Sequence, residues 1–224
     1  MTDLSAFMPR PTPGLTTLEG RNVVLEPFDA AQHIDGLFAA IGGPDNAPLW
    51  EWMPVGPFLL PQALSAFLTT MRDTNERWRT MVIRSTATGE ILGSCAYMRI
   101  REAHGSAEIG CVAFGPRLRR TPESTEALYL MAAHVFDLGY RRYEWKCNND
   151  NLASKRAAER FGFAFEGIFR NDMVTKGRSR DTTWYSITDA EWPRVNRALS
   201  LWLAPGNFGP DGAQKRTLES LRNL

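Results

Sequence analysis

A strand, a loop, a helix and a second strand follow one another near the middle of the chain, and this succession constrains the fold more than any other feature. Residues 106–114 have the apolar character of a buried strand. Thr121 and Pro122 then form a helix start, with a capping side chain followed by proline at the first helical position. The helix ends at Gly139, and residues 142–147 form the next strand. Two strands joined by one helical crossover are parallel neighbours in a sheet.

The segments around this unit predict antiparallel pairing and more helices. Short turns join the strands predicted at residues 79–84, 90–100 and 106–114, which is typical of an antiparallel meander. Residues 163–175 and 180–188 form a hairpin that turns at Lys176-Gly177. Another strand is predicted at residues 22–26, and helices are predicted at 29–41, 62–72, 150–161 and 192–203. The predicted fold class is α/β (α+β), a mixed and mostly antiparallel central sheet with one parallel βαβ step and flanking helices.

The chain organisation favours a single domain. Its 224 residues, 43% hydrophobic and 23% charged, suffice for one sizeable core. Residues 1–18 are predicted to be an N-terminal extension on the surface, residues 19–203 the domain, and residues 204–224 a polar, glycine-rich C-terminal tail on the surface.

Charge and cysteine usage argue against several classes of protein. The 26 basic and 25 acidic residues leave a formal charge of +1, so nucleic acid is not an expected partner. Three cysteines at spacings unlike those of zinc ligands predict free thiols and no metal site. No apolar run is long enough to span a bilayer. We expect a cytoplasmic protein that is not bound to a membrane.

The loop that precedes the central helix is the first candidate site. A helix start exposes unpaired N–H groups and partial positive charge, which together favour a phosphate group. Arginines and hydroxyls that could add to such a site are Arg117, Arg119, Arg120, Thr121 and Ser124. Pro122 and Glu123 oppose this interpretation, because proline offers no N–H and the glutamate is negative. The alternative is a basic surface turn.

Other candidates flank this loop. Glu108, on the strand before it, could accept a proton from a substrate if burial raised its pKa; otherwise it is a structural strand glutamate. Asn148 and Ser154, around the following strand–helix junction, could orient a ligand or help a leaving group, or could simply cap the helix. Tyr97, Trp50, Trp52 and Trp184 are the candidate walls of an acceptor pocket, with core packing as the alternative for the two tryptophans of the proline-broken loop.

The segments AEIGCVAFGPRLRRTPESTEAL (107–128) and NDNLASKRAAERFGFAFEG (149–167) together resemble the GCN5-related N-acetyltransferases. They look most like the branch that includes the ribosomal-protein N-terminal acetyltransferases. The resemblance covers roughly residues 20–190, and its more specific part is the spacing of Asn151, Ser154 and Gly162-Phe163. Its phosphate loop maps to Arg119, Pro122 and Ser124, where the proline departs from the glycine of the family pattern.

The resemblance implies a role for each candidate residue. The loop and Asn151 with Ser154 would bind coenzyme A, and the backbone of four strand residues would contact its pantetheine arm: Cys111, Val112, Ala113 and Phe114. Glu108 falls where some relatives have a general base. The tyrosine that other relatives use as general acid is Ala158 here, so Asn148, Ser154 or solvent would assist the thiolate.

The implied activity is acetyl transfer from acetyl-CoA to a primary amine, by direct attack within a ternary complex. The acceptor would be a protein N-terminus or a small-molecule amine, and a homodimer is a further expectation. Two alternatives stay open. One is a catalytically weak acyl-CoA-binding sensor, suggested by Pro122 and the missing tyrosine. The weaker is a nucleic-acid-associated factor, suggested by Arg117, Arg119, Arg120, Arg141 and Arg142.

Overall fold

The computed structural model describes residues 3–74 and 77–223. Its strands are β1 (Leu18–Glu19), β2 (Val23–Pro27), β3 (Arg79–Ser85), β4 (Ile91–Arg101), β5 (Ser106–Phe114), β6 (Arg142–Asn148), β7 (Ala164–Thr175) and β8 (Arg178–Thr188). Its helices are α1 (Ala30–Ile41), α2 (Pro61–Asp73), α3 (Pro122–Asp137), α4 (Leu152–Phe161), α5 (Trp192–Leu203) and α6 (Leu218–Arg222), and a 3₁₀ segment covers Pro44–Trp50.

The strands form one sheet in the order β1-β2-β3-β4-β5-β6-β8-β7. Only β5 and β6 pair in parallel, and the other neighbours are antiparallel. The predicted fold class is therefore confirmed, because the α3 crossover forces the one parallel step while short turns join the rest. Sequence analysis missed the two-residue strand β1, which is too short to show a period.

The helices cover the two faces of the sheet unequally. On one face, the α3 face, the helices α3, α4, α5 and α6 bury a core that includes Tyr97, Ile109, Trp145 and Met131. On the opposite face, the α1 face, α1 and α2 pack over β3 to β5 in a smaller cluster around Leu37. No helix of that cluster lies over β6 or β8, so their side chains on the α1 face are left for other contacts.

A wedge opens in the middle of the sheet where β5 and β6 separate. Their pairing runs from Ser106 opposite Arg142 to Ile109 opposite Trp145 and then ends. Beyond it, Cys111 has φ 45°, and the register between β4 and β5 shifts at the same place. An extra residue bends a strand away from its neighbour, so this bulge turns the carboxyl half of β5 from β6 and opens the wedge.

The C-terminal tail, predicted to be a surface segment, packs into the domain instead. Asn207 is buried and donates hydrogen bonds to Trp202 O and Arg216 O. Leu218 and Leu221 of α6 belong to the core on the α3 face. The polar composition of the tail hides these anchors, since two leucines on one short helix give no detectable period.

The N-terminal extension also packs on the domain in the part that the model describes. The Arg10 N–H donates to Glu102 O at 3.0 Å, and Thr12 Oγ1 donates to Glu102 Oε1 at 2.9 Å. Tyr140 Oη donates to Pro11 O at 3.1 Å. These bonds tie residues 10–12 to the β4–β5 connection and to the end of α3.

We expect Leu218→Ala to lower the free energy of unfolding by about 2–4 kcal/mol, because it leaves a cavity at a buried leucine. Leu201→Ala on α5 is the matched control, since Leu201 is 41% exposed and its loss should cost less than about 1 kcal/mol. Urea unfolding of both variants checks this. Equal, small effects would mean that the tail does not contribute to the core.

Among residues 3–74 and 77–223, no helix is both long and apolar enough to cross a bilayer.

Candidate active site

A cleft of about 920 Å³ lies on the α3 face beside the wedge. Its walls come from the carboxyl half of β5, the start of α3, one side of α4 and the loop around Trp52. The C-terminal segment closes a further side with Trp202, Phe208 and Gln214. The fold thus joins the two sequence segments that carried the family resemblance, and adds a wall that the sequence did not predict.

The loop before α3 presents unpaired amides to this cleft. Thr121 Oγ1 accepts the Ser124 N–H at 3.2 Å and so caps the helix. Within the described part of the chain, no acceptor takes the amide N–H of Arg119, Arg120 or Thr121, all of which line the cleft. Pro122 removes one donor, yet three amides remain at the positive end of α3, and this arrangement suits a phosphate group.

Four arginines surround the same end of the cleft. Arg119 and Arg120 come from the loop, and Arg156 and Arg160 come from α4. Arg119 Nε donates to Phe114 O at 3.0 Å, and Arg160 Nη1 donates to Thr125 Oγ1 at 3.2 Å. Sequence analysis missed the α4 pair, although their i, i+4 spacing places both on one helix face.

Arg117 does not join this group. It pairs with Glu90 at 2.5 Å, and both side chains are largely exposed. The geometry does not support the predicted role of Arg117 in the phosphate site, because its guanidinium is already paired with a carboxylate from the β3–β4 turn.

The β5 residues predicted to contact pantetheine divide between the two faces. Val112 and Phe114 line the cleft, whereas Ala113 is buried in the α1-face cluster and Cys111 packs against that cluster. Any ligand contact of Cys111 and Ala113 would therefore involve backbone groups, as the family resemblance implies.

Polar residues at the start of α4 mainly serve as caps. Asn151 Oδ1 accepts the Ser154 N–H at 3.0 Å, and Asn148 Oδ1 accepts the Asp150 N–H at 2.9 Å. Ser154 Oγ accepts the indole N–H of Trp145 at 3.0 Å, and the same hydroxyl also hydrogen-bonds the Cys147 thiol, which partly opposes the burial that raises the pKa of Cys147. Asn151 also lines the cleft, while Asn148 lies at the end of β6.

Glu108 lies at the closed end of the wedge, on the α1 face, and is only 1% exposed. Its Oε2 is 3.2 Å from Lys146 Nζ and 3.6 Å from Arg99 Nε. Burial raises the pKa of Glu108 to about 7, although the two cations act in the opposite direction. A carboxylate with this pKa can exchange protons at neutral pH, which fits a general base.

The four aromatic residues predicted as acceptor walls have different surroundings. Trp184 lies near Glu108, because both share the same two cations. Arg99 and Lys146, which contact Glu108, lie 5.1 and 5.4 Å from the ring centre of Trp184. Trp52 lines the cleft. Trp50 is instead a buried packing residue whose Nε1 donates to Ile41 O at 2.8 Å.

Tyr97 is the clearest correction among these aromatic residues. It is 0% exposed and its hydroxyl donates to Met131 O at 3.0 Å beneath α3. A substrate in the cleft cannot reach it, because alternation along β4 directs its side chain into the core.

The arginines behind the nucleic-acid alternative do not form one patch. Arg119 and Arg120 lie at the start of α3, whereas Arg141 and Arg142 follow its far end, sixteen helical residues away. Arg142 is also paired with Glu166 at 2.5 Å and Glu144 at 2.7 Å. Separated and partly neutralised charges give little attraction for a phosphate backbone.

Within the described ranges no His, Cys, Asp and Glu side chains cluster as metal ligands.

Comparison with known proteins agrees with this geometry. Residues 22–164 match the family described as Acetyltransferase (GNAT) domain. A crystal structure of a GCN5-related N-acetyltransferase from Brucella melitensis is 45% identical, covers 97% of this chain and 99% of its own, and superposes with a TM-score of 0.92. The chain therefore belongs to the GNAT acetyltransferase family.

Further relatives are similar over smaller shares. A structure of a probable acetyltransferase of the GNAT family from Chromobacterium violaceum is 38% identical, covers 86% of this chain and 96% of its own, and has a TM-score of 0.81. The uncharacterized N-acetyltransferase YoaA of Bacillus subtilis is 32% identical over 101 residues, which are 45% of this chain and 56% of that protein. The match thus spans little more than half the length of this curated relative.

Proposed function

We propose that this protein transfers the acetyl group of acetyl-CoA to a primary amine of a protein N-terminus or a small molecule. The observation that carries the proposal is the wedge between β5 and β6, which has a helix start suited to phosphate beside it and Glu108 at its closed end. Cofactor and acceptor would meet there from opposite faces of the sheet. The residues around the cleft fit coenzyme A, because free amides and four arginines suit its phosphates and Val112 and Phe114 suit its pantetheine arm.

In this mechanism Glu108 accepts the proton that the ammonium group of the acceptor must lose, directly or through one water. Lys146 and Arg99 hold the carboxylate in place and compensate its negative charge. Acetyl-CoA would supply the thioester, whose carbonyl carbon the free amine attacks, so that the amide bond forms as the bond to the sulfur breaks and coenzyme A leaves as the thiolate. We assign the stabilisation of the resulting oxyanion to the backbone N–H of Val112, on the bulged part of β5.

The thiolate would leave with help from the Ser154 hydroxyl, from Asn148 or from solvent. No tyrosine acid is available at the usual place, since Ala158 is completely buried in the core. A thiol is a tolerable leaving group at neutral pH, so a strong acid is not required.

Direct attack is favoured over a cysteine intermediate. Burial raises the pKa of Cys111 to about 12 and also raises the pKa of Cys147. Both stay protonated at neutral pH and are poor nucleophiles. Holding both substrates together supplies much of the rate, on the order of 7–11 kcal/mol in favourable cases.

Three finer expectations stay predictions. A putative ribosomal-protein-serine acetyltransferase from Vibrio cholerae shares the fold at 18% identity, which supports the architecture but not that branch. A cytoplasmic location is untested. A homodimer would bury the exposed apolar side chains of edge strand β7, such as Phe165 and Val174.

Calorimetry with acetyl-CoA tests the cofactor site. We expect Arg119→Ala to weaken binding about 5- to 30-fold, since it removes a charge-assisted contact to phosphate at the cleft. Arg197→Ala, at an exposed arginine of α5, is the control and should leave the dissociation constant unchanged. An unaltered constant for Arg119→Ala would place the phosphates elsewhere. Saturable binding without turnover on any amine would instead support the sensor alternative.

A further inference from the structure

Arg180, on β8, is a largely buried arginine that forms no ion pair with the described residues. Its side chain is 6% exposed, and within residues 3–74 and 77–223 it forms no salt bridge. Its Nε is buried without a hydrogen bond. Removing a charge from water is expensive unless another group compensates it. Since a neutral side chain would cost less here, the guanidinium calls for an explanation.

Two more unpaired donors follow Arg180 along the same strand. Thr182 Oγ1 and Trp184 Nε1 are buried and lack hydrogen-bond partners in the described chain. Side chains two residues apart point to the same face of a strand, so Arg180, Thr182 and Trp184 form one row, which we call the β8 row. Buried polar groups are rarely left unpaired, and three on one row indicate a ligand that accepts hydrogen bonds.

The β8 row lies on the acceptor side of the wedge. Trp184 is opposite Lys146 in the sheet, and Lys146 contacts Glu108. Thr182 is opposite Asn148, at the end of β6 where the wedge is open. The row therefore begins beside the proposed general base and runs away from it along the opening.

The turn of the β7–β8 hairpin contacts the 3₁₀ segment that packs on the α1 face. Lys176, at its turn, donates to Trp50 O in the 3₁₀ segment at 2.7 Å. No helix of the α1-face cluster covers β8, yet Thr182 is 0% exposed. The Lys176 contact ties the hairpin turn to the α1 face of the sheet, the face on which the β8 row also lies.

The charges that face Arg180 are few. Glu108, Asp172 and the Cys147 thiol are the titratable groups that act on it, and burial dominates by lowering the pKa of Arg180. Glu108 already has Lys146 and Arg99 beside it. The guanidinium thus retains its affinity for a further anion.

We propose that the acceptor amine carries an anionic group, a carboxylate or a phosphate, and that Arg180, Thr182 and Trp184 bind this group while Glu108 faces the amine. This inference rests on the proposed acetyl transfer and names the class of its acceptor. Planar guanidinium is well suited to both anions, because its N–H groups match pairs of oxygen atoms. Amines with several positive charges are disfavoured, since they would face Arg180, Lys146 and Arg99 together.

The test compares matched pairs of amines with the full-length protein and acetyl-CoA. L-methionine and L-methioninamide form the carboxylate pair, and O-phosphoethanolamine and ethanolamine form the phosphate pair. We expect kcat/KM to favour an anionic member at least about 10-fold. Arg180→Gln should lower kcat/KM for the anionic member far more than for the neutral member and so abolish that preference, while Arg180→Lys restores part of it. The pair with the larger preference identifies the anion.

A second measurement does not depend on turnover. Calorimetric titration of N-acetyl-L-methionine and its amide into the CoA-bound protein should show tighter binding of the charged product analogue, lost in Arg180→Gln. The inference is overturned if the charged and neutral members behave alike in both measurements. It is also overturned if Arg180→Gln weakens both members equally. Failure of acetyl-CoA to bind at all would instead contradict the proposed function, which separates the two claims.

Discussion

Glu108→Gln is expected to lower kcat/KM for the amine acceptor by about 10²- to 10⁴-fold, the usual contribution of a general base. In the wild-type protein, kcat/KM should rise with pH below about 7 and level off above it, because burial raises the pKa of Glu108 to about 7 and only the carboxylate accepts a proton. The variant should lose this inflection. Its dissociation constant for CoA should change little, since Glu108 lies on the face opposite the cofactor cleft.

Measuring kcat/KM from pH 5.5 to 9 for both proteins checks this expectation. Glu219→Gln, at an exposed glutamate of α6, is the control and should keep the wild-type profile. Parallel profiles for Glu108→Gln and the wild type would remove Glu108 from its assigned role.

The same substitution should stabilise the protein at alkaline pH. The pKa of Glu108 is about 7 in the folded chain and near its usual value when unfolded, so the folded state binds this proton more tightly. Ionisation therefore destabilises the fold progressively as pH rises between about 4.5 and 7. At pH 8 Glu108→Gln should add up to about 3 kcal/mol to the free energy of unfolding, and the gain should vanish towards pH 4.5. Urea unfolding at both pH values measures it.

Glu126→Ala is expected to lower the free energy of unfolding by about 3–5 kcal/mol, the largest stability loss we predict. Glu126 is buried on α3, and its carboxylate accepts three backbone N–H groups from the loop that precedes and enters β2. These are the amides of Arg21 at 2.9 Å, Asn22 at 2.6 Å and Val23 at 3.1 Å. Alanine leaves these donors without their acceptor, and restoring them to water requires the loop to open.

Glu123→Ala provides the control one turn earlier on the same helix, where the side chain is only partly buried. It should cost less than about 1 kcal/mol. Denaturant unfolding at pH 7 distinguishes the two variants, and a loss below 1 kcal/mol for Glu126→Ala would show that water replaces the carboxylate without penalty.

Sequence patterns predicted most of the fold because its elements are encoded locally. Capping by Thr121 and Asp29, apolar spacing and glycine or proline stops mark the helices within a few residues of their bounds. The antiparallel strands follow from short turns, and the parallel step follows from one helical crossover. The packing of the C-terminal tail was not predicted, since its burial depends on contacts with α5 that no local pattern encodes.

The site was only partly predictable for the same reason. Glu108 and the loop at Arg119 could be proposed from sequence because each lies next to an element boundary that the sequence marks. Tyr97 was predicted as a wall of the acceptor pocket, but it is buried in the core with its hydroxyl on Met131 O. Arg180 was missed, because an arginine in a strand has no sequence feature that separates a buried position from an exposed one.

The chain's own order of residues thus specifies the secondary structure, the parallel crossover and the family, all of which depend on neighbours within a few turns. Three-dimensional packing decides the burial of Glu108, the hydrogen bonds of Glu126 to a distant loop and the lack of a hydrogen-bond partner for the buried Arg180 Nε. The physical reason is that burial and charge compensation are set by residues far apart in sequence, and these two quantities govern the pKa values and binding properties on which the activity depends.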